Sequence, residues 1–515
     1  MKLRLSATEL YIYFSLWTFA NVYSLYKLIE AQRDVLESEE ELLSSLDDLQ
    51  RGWKFIDRFQ DVSDIEWSSW KYFFQTSWYF MIFHFIVSET ICEIYSSFLL
   101  KCWYILSSTI FVIVFMGYKQ MLIILAQPVI YTLILLCGGR KLSIWITSML
   151  LILSYNSLKY KYYFWNFLDH KDMQDEEVYL LLFCVAWIEL RCISFSLDFL
   201  DKRGGNVLKS PDIVSMLSYT LYLPLLYTGP VVLYEEFEKS FKTKRENLVT
   251  RLKKFAIDIA FFQLYTFILD FVFHYIYFFA MQNNMELIRK LPTIALCGGG
   301  LWMGLEFHMK YVISYGTAAA FTRLDNIEAP PTPRCIARIH VYSQMWRHFD
   351  VGLYRFLVKY IYQPGYSILS QYYKLQKITY KLLASLATFL FIFVWHGTVL
   401  HILIWSILNY SGITLEHMGK AFSKHDMYTK FRVNILRTEA METRFIAFLC
   451  SPLLALSAIS NFYLFGGSEV GNLFFESFTQ PSLLNSIILI GSLYCCCHVS
   501  MALEEVPSRG GYKKT

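Results

Sequence analysis

Apolar runs separated by short polar stretches recur along the chain, and the run over residues 382–415 is the most informative. It reads LLASLATFLFIFVWHGTVLHILIWSILNYSGITL and contains no Asp, Glu, Lys or Arg. Because about 20 apolar residues cross the roughly 30 Å hydrocarbon core of a bilayer, this run predicts a membrane-embedded helix. His396 lies in its middle, where lipid offers an imidazole no hydrogen-bond partner. We therefore expect its ring to face protein or water at a functional site.

Comparable runs predict the other membrane helices, beginning with a retained signal anchor over residues 9–28. The rest lie at roughly 70–98, 102–117, 120–137, 142–157, 177–199, 212–234, 255–281, 291–320, 382–409, 444–465 and 482–503. The pattern predicts an all-α polytopic membrane protein, a single domain over residues 1–515. We expect about 10 to 12 transmembrane or re-entrant helices around a central chamber.

The basic residues indicate how the helices are oriented. Residues 239–254 hold seven basic residues and one acid, whereas residues 30–66 hold twelve acids and four bases. Because cytosolic loops are enriched in Lys and Arg, we expect the first segment in the cytosol and the second in the lumen. Lys2 and Arg4 then predict a cytosolic N-terminus. Within the acidic segment, leucines 42, 43, 46 and 49 have the spacing of an amphipathic helix.

Composition agrees with a membrane protein. Hydrophobic residues make up 55% of the chain, charged residues 17%, and the mean hydropathy is +0.36. The net charge of +4 indicates no nucleic-acid partner. Most of the 11 cysteines lie in apolar runs, which disfavours a disulfide framework. Cys495–Cys497 is compatible with either packing or acylation. The tail over residues 504–515 is expected to be flexible.

Residues 321–366 differ from the runs on either side of them. Four arginines and three closely spaced prolines precede Asp350, and an aromatic amphipathic helix is expected to begin near Val351. We interpret the segment as a cytosol-facing loop that dips back toward the membrane. Its arginines suit an anionic phosphate through bidentate hydrogen bonds, or else they only hold the cytosolic face. The candidates for phosphate contact are Arg334, Arg338 and Arg347.

His396 and Asp350 together suggest proton-transfer chemistry in a membrane chamber. A histidine near its ordinary pKa of about 6.5 can accept and return a proton, which suits a general base. Asp350 would then orient a reacting group or balance charge. A transporter that uses the same pair for proton coupling is the alternative from another class. No H-E-x-x-H, P-loop or G-x-S-x-G motif is present, so the corresponding hydrolases lack their required residues.

Several short motifs carry a family resemblance over essentially the whole chain. In chain order they are Asp64-Ile65-Glu66-Trp67, Thr228-Gly229-Pro230, Pro333-Arg334-Cys335, Met345 to Leu353 (MWRHFDVGL), Trp395-His396-Gly397, Ser460-Asn461 and Phe465 to Gly471 (FGGSEVG). With these motifs the chain resembles the membrane-bound O-acyltransferase family, and within it the hedgehog acyltransferases. The resemblance implies a protein-cysteine N-palmitoyltransferase of the endoplasmic reticulum or Golgi membrane.

The resemblance also implies roles for individual residues. His396 and Asp350 take the two catalytic positions, Trp346 takes that of an aromatic gate to the acyl-CoA site, and Cys335 that of a haem b ligand. Palmitoyl-CoA is the implied co-substrate, and the implied partners are the lipid bilayer and a secreted hedgehog-type protein with an N-terminal cysteine. The alternatives are acylation of a serine or a lipid alcohol, and a non-catalytic regulator of the same fold.

Overall fold

A computed structural model describes seven stretches of the chain. They are residues 5–38, 48–94, 96–161, 173–203, 208–335, 339–480 and 482–505. Within them almost all regular structure is helical, and the strands form one two-stranded antiparallel hairpin. The predicted all-α fold is confirmed.

The elements follow one another along the chain in two groups. The first comprises α1 (Ala7–Ser38), β1 (Leu49–Arg51), β2 (Phe59–Asp61), α2 (Ile65–Ile94), α3 (Ser97–Phe115), α4 (Tyr118–Leu136), α5 (Lys141–Lys161), α6 (Asp175–Arg203), α7 (Ser210–Thr220), α8 (Tyr234–Ser240), α9 (Leu248–Val272), α10 (Phe278–Gln282), α11 (Met285–Arg289) and α12 (Thr293–Leu324). The second comprises α13 (Tyr342–His348), α14 (Val351–Leu357), α15 (Gln363–Tyr372), α16 (Lys377–His396), α17 (Leu400–Phe422), α18 (Asp426–Phe431), α19 (Glu439–Thr479) and α20 (Leu483–Glu505). Single π-helical turns follow α14 and α18.

Seven of the described helices are long and apolar enough to cross a membrane. They are α3, α4, α6, α9, α16, α19 and α20. The chain is therefore a multi-pass membrane protein. The predicted total of about 10 to 12 crossings also counts re-entrant and less apolar helices, and it stays a prediction.

Two helices form the inside of the bundle. They are α6 and α12. Most of the apolar part of α6 is buried within the protein, whereas most of the apolar part of the peripheral helix α9 is exposed. Helix α12 is buried along most of its length, and three successive glycines let other parts of the chain approach it closely. A Cβ at Gly298 would lie 2.2 Å from the Ser24 carbonyl oxygen of α1, and one at Gly299 would lie 2.1 Å from the Phe278 ring.

The basic segment and the hairpin, which belongs to the acidic segment, lie at opposite ends of α9. The basic segment leads into its first turn. The hairpin contacts the other end, where the Asp61 amide donates to the Phe273 carbonyl at 3.0 Å and the Trp53 amide donates to His274 Nε2 at 2.9 Å. A 25-residue helix is about 37 Å long, enough to separate two sides of a bilayer. Which side is cytosolic stays a prediction.

Several sequence predictions need revision or lie outside the described residues. The span predicted over residues 212–234 is one of them, because α7 ends at Thr220 and only a 3₁₀ turn over Leu223–Leu225 follows before α8. Residues 382–415 are not one helix, because the chain breaks at Gly397, whose φ of 137° is left-handed. The amphipathic helix predicted over leucines 42–49 does not extend to Leu49, which begins β1, and the other three leucines lie outside the described residues. Of the predicted tail, Glu504 and Glu505 belong to α20, and residues 506–515 are outside the described part.

Candidate active site

Asp350 lies directly before α14 and caps its first turn. Its Oδ1 accepts a hydrogen bond from the Leu353 amide at 2.8 Å, which satisfies one of the free amides at the helix start. Its Oδ2 accepts from the Tyr315 hydroxyl at 3.1 Å. Gly352 is required next to it, because a Cβ there would lie 2.2 Å from the Val231 carbonyl oxygen. The carboxylate is thus held at a fixed point by α12, α14 and the segment before α8.

His396 is the last residue of α16, and Gly397 turns the chain away before α17 begins at Leu400. Its ring lies edge-on between two indoles, with centroid distances of 4.8 Å to Trp395 and 5.0 Å to Trp405. The side chain is half-buried. The histidine therefore faces aromatic side chains of its own protein, as the apolar run around it predicted.

Aromatic rings in contact with one another connect the surroundings of Asp350 with those of His396. Tyr315, which donates to Asp350, has its ring centroid 6.2 Å from that of Trp187 on α6. Trp187 in turn lies 5.4 Å from Trp395, the neighbour of His396. The Trp395 Nε1 donates to the Ala186 carbonyl at 3.3 Å, which fixes its indole against α6. Aromatic side chains from α6, α12 and α16 thus form a continuous series of contacts from Asp350 to His396.

A second set of contacts is centred on Trp346 of α13. Its Nε1 donates to Asn409 Oδ1 at 3.0 Å, and its ring lies 5.6 Å from Trp405 and 5.2 Å from Phe389. Asn409, fully buried in α17, also donates to Ser460 Oγ at 3.3 Å. The predicted acyl-CoA gate is therefore held by hydrogen bonds that reach α19, and the Ser460-Asn461 motif acquires a structural role.

Three residues of this site, Tyr315, Trp187 and Asn409, are not among the site residues that the sequence predicts. For Asn409 a signal was present, since it is a carboxamide inside the apolar run over residues 382–415. A buried carboxamide is costly unless hydrogen-bonded, and so it points to a polar contact. Tyr315 and Trp187 are aromatic residues among many, and only the packing of α6 against α12 distinguishes them.

Two of the three predicted arginines act on His348, the last residue of α13. Arg334 and Arg347 are exposed, and the Arg334 amide donates to the His348 carbonyl at 3.0 Å. Burial lowers the pKa of His348, and the positive charges of Arg334 and Arg347 lower it further. The positive charges of the two guanidinium groups are therefore both felt at His348. Arg338 lies outside the described residues.

Cys335 is half-buried in the extended segment between α12 and α13. Its thiol is near enough to that of Cys496 on α20 for the two to interact electrostatically. In the described ranges, no group of three or more His, Cys, Asp or Glu side chains is arranged to hold a metal ion. A haem iron needs a single axial thiolate from the chain, so that finding does not bear on haem. The role of Cys335 stays a prediction.

Sequence comparison with known proteins matches the chain to a family. The family model for MBOAT, the membrane-bound O-acyltransferase family, covers residues 132–458, which include both Asp350 and His396. The Protein-cysteine N-palmitoyltransferase Rasp of Drosophila melanogaster is 28% identical over 496 residues, with 95% of this chain and 94% of Rasp covered.

Two mouse proteins give similar alignments. The Protein-cysteine N-palmitoyltransferase HHAT of Mus musculus is 27% identical over 512 residues, with 95% of each chain covered. The Protein-cysteine N-palmitoyltransferase HHAT-like protein of the same species is 24% identical over 425 residues, covering 81% of this chain and 79% of its own. With the family model matching well over half of its length, this chain belongs to the membrane-bound O-acyltransferase family and is an acyltransferase.

Proposed function

We propose that this protein transfers palmitate from palmitoyl-CoA to the N-terminal cysteine of a secreted, hedgehog-type signalling protein. The observation that carries the proposal is the position of His396. It lies at a helix break and contacts two indoles, and a series of aromatic contacts connects it with Asp350, which caps α14. Rasp and HHAT, which align over nearly the whole chain, are named protein-cysteine N-palmitoyltransferases. We place the reaction in the endoplasmic reticulum or Golgi membrane.

Each substrate reaches the site from a different side. The phosphates of palmitoyl-CoA bind at the cytosolic face near Arg334 and Arg347, and Arg338 belongs to the same group by sequence. The acyl chain lies among the apolar helices. Trp346 acts as the gate, and its bond to Asn409 must break for the indole to move. The acceptor enters from the lumen.

The chemical step is acyl transfer from sulfur to nitrogen. The amine nitrogen of the acceptor attacks the thioester carbonyl, the carbon–sulfur bond breaks, and the CoA thiolate leaves. His396 takes the proton that the amine loses and returns it to the thiolate, which leaves as CoASH. Asp350 orients the acceptor and balances the positive charge that develops on the imidazole. An initial thioester on the cysteine thiol, followed by rearrangement to the amide, uses the same base.

The test is transfer of palmitate by the purified protein to a lipid alcohol and to peptides that begin with Cys, Ser or N-acetyl-Cys. We expect labelling of the Cys peptide alone, and a loss in kcat of roughly 10² to 10⁴ in His396→Ala, the usual contribution of a general base. His425→Asn is the matched control, because the exposed His425 only caps α18 and Asn keeps a capping oxygen.

Three outcomes would contradict parts of the proposal. Labelling of the Ser peptide or of a lipid alcohol instead of the Cys peptide would indicate another acyl acceptor for the same fold. No transfer to any acceptor would support the regulator alternative. Full activity of His396→Ala would show that His396 is not the general base, while the protein would still be an acyltransferase.

Haem at Cys335 is a separate part of the proposal. A half-buried thiol beside an apolar helix fits an axial thiolate ligand, which would supply redox or structural chemistry. No part of the transfer reaction depends on it. Protein produced with adequate haem should show a Soret band that Cys335→Ser lacks, and wild-type protein without that band would contradict this assignment.

A further inference from the structure

A buried charged cluster joins α12 to the start of α2, and the proposed reaction does not use it. The Lys310 Nζ on α12 lies 2.5 Å from Asp64 Oδ2 and 2.9 Å from Glu66 Oε2, at the start of α2. Glu306 Oε2, one turn earlier on α12, is 3.7 Å away. All four side chains are at most 12% exposed. Buried ion pairs contribute little net stability, and their best-attested use is to specify one arrangement of the elements that carry them.

Tyr311 extends the cluster toward the active site. Its hydroxyl donates to Glu66 Oε1 at 2.8 Å, so the cluster fixes its position. Its ring lies edge-on to two others, at 5.1 Å from Trp70 on α2 and 5.1 Å from Tyr315. It also lies 5.6 Å from Phe349, the residue before Asp350. Any displacement of Tyr311 would therefore act on rings that adjoin the candidate carboxylate.

Tyr315 is the last member of this series, one helical turn beyond Tyr311. It donates to Asp350 Oδ2 at 3.1 Å. A Cβ at Gly229 would lie 2.5 Å from the Tyr315 ring, so the protein leaves the ring no room on that side. The ring that carries this hydroxyl to Asp350 is thus in contact with Tyr311 and close to the Gly229 backbone.

We propose that Lys310 and Tyr311 are positioning residues for acyl transfer, which hold Tyr315 so that its hydroxyl orients Asp350. Lys310 fixes the position of α12 relative to the start of α2. The Tyr311 ring, held by the same cluster, in turn fixes the position of the Tyr315 ring. This inference rests on the proposed function, in which Asp350 takes part in the transfer. Neither residue needs to touch a substrate.

The test is a double-mutant cycle of Tyr311→Phe and Tyr315→Phe in the full-length enzyme, with kcat and KM measured for palmitoyl-CoA and the Cys peptide. Removing the Tyr315 hydroxyl should lower kcat by roughly 10- to 100-fold, the usual effect of losing a hydrogen bond to a carboxylate. Tyr311→Phe should lower kcat by roughly threefold to tenfold and leave the KM for palmitoyl-CoA unchanged. In the Tyr315→Phe background it should have almost no further effect, because its influence passes through that hydroxyl.

Two further variants separate positioning from general damage. Lys310→Arg should retain more kcat than Lys310→Met, since it keeps a positive charge among the carboxylates. Tyr72→Phe is the matched control, because the Tyr72 hydroxyl on α2 donates to Glu177 at 3.1 Å, on another helix pair. It should leave kcat unchanged.

Several results would overturn the inference. Additive effects of the two tyrosine substitutions, an unchanged kcat in Tyr311→Phe, or an equal loss in Tyr72→Phe would each do so. Asp350→Asn with full kcat is the distinct result that removes Asp350 from the proposed function itself.

Discussion

The Trp346 indole donates a 3.0 Å hydrogen bond to the side chain of Asn409, and that amide also holds Ser460. One buried carboxamide therefore connects the proposed gate on α13 with α17 and α19. Because a buried polar group is costly to leave without a partner, the gate is stable in the position it occupies here. Opening it requires this bond to be exchanged for another.

Removing the Asn409–Trp346 hydrogen bond from either side should ease opening of the gate and strengthen acyl-CoA binding to a similar extent. We expect Trp346→Phe and Asn409→Ala each to lower the KM for palmitoyl-CoA by roughly threefold to tenfold, because opening then no longer costs one hydrogen bond. The double variant should show little more than the single ones, because both substitutions remove one interaction. Asn434→Ala, at an exposed position, is the control. Additive effects on KM would contradict a shared role.

Asp350 has a structural role and a proposed chemical one, and two substitutions separate them. Asn caps a helix about as well as Asp, so Asp350→Asn should keep the fold while kcat falls. Asp350→Ala loses the cap as well and should unfold more easily by about 1 kcal/mol. Thermal unfolding in detergent measures the structural role, and the rate of peptide palmitoylation measures the chemical role. Equal kcat values in wild type and Asp350→Asn would contradict the chemical role.

The helix break after His396 depends on Gly397. An L-residue pays a steric cost in the left-handed region, so Gly397→Ala should destabilise the protein by about 1–2 kcal/mol and displace His396. Gly419 lies inside α17, where an added Cβ meets nothing within 4 Å. Gly419→Ala should be neutral or stabilising by up to about 1 kcal/mol. A pair of variants with equal unfolding temperature and activity would show that the break is not needed.

The Asp61 carboxyl should make stability depend on pH. Burial raises its pKa to about 6, although Ser63 and the Ala280 amide donate hydrogen bonds to it. In the unfolded chain the value is about 3.9. The folded state thus binds this proton more tightly, and its stabilising contribution, complete below about pH 4, is lost as the pH rises through about 6.

Asp61→Asn removes this titration. The variant should lose less stability than wild type between about pH 4 and pH 7, as measured by unfolding temperature at each pH. Parallel pH profiles for the two proteins would show that Asp61 does not control this dependence.

The sequence was sufficient for the features that a single segment determines. The uncharged run around His396 predicted an imidazole that faces protein or water, and the aromatic amphipathic pattern after Asp350 predicted a helix that begins near Val351, where α14 begins. It was not sufficient where two distant segments meet. Lys310 and Asp64 are 246 positions apart, and no local pattern pairs them. The break at Gly397 was missed because an apolar run does not specify a backbone angle at one residue.

The division of residues 382–415 into two helices has a consequence for the imidazole at its break. The peptide dipoles of α16 add up to a partial negative charge at its last turn, where His396 lies. Such a helix end stabilises a cation, and an unbroken helix would present none at this position. A positive charge that the proposed proton transfer places on this ring would lie at the negative end of the α16 dipole, before any carboxylate approaches it.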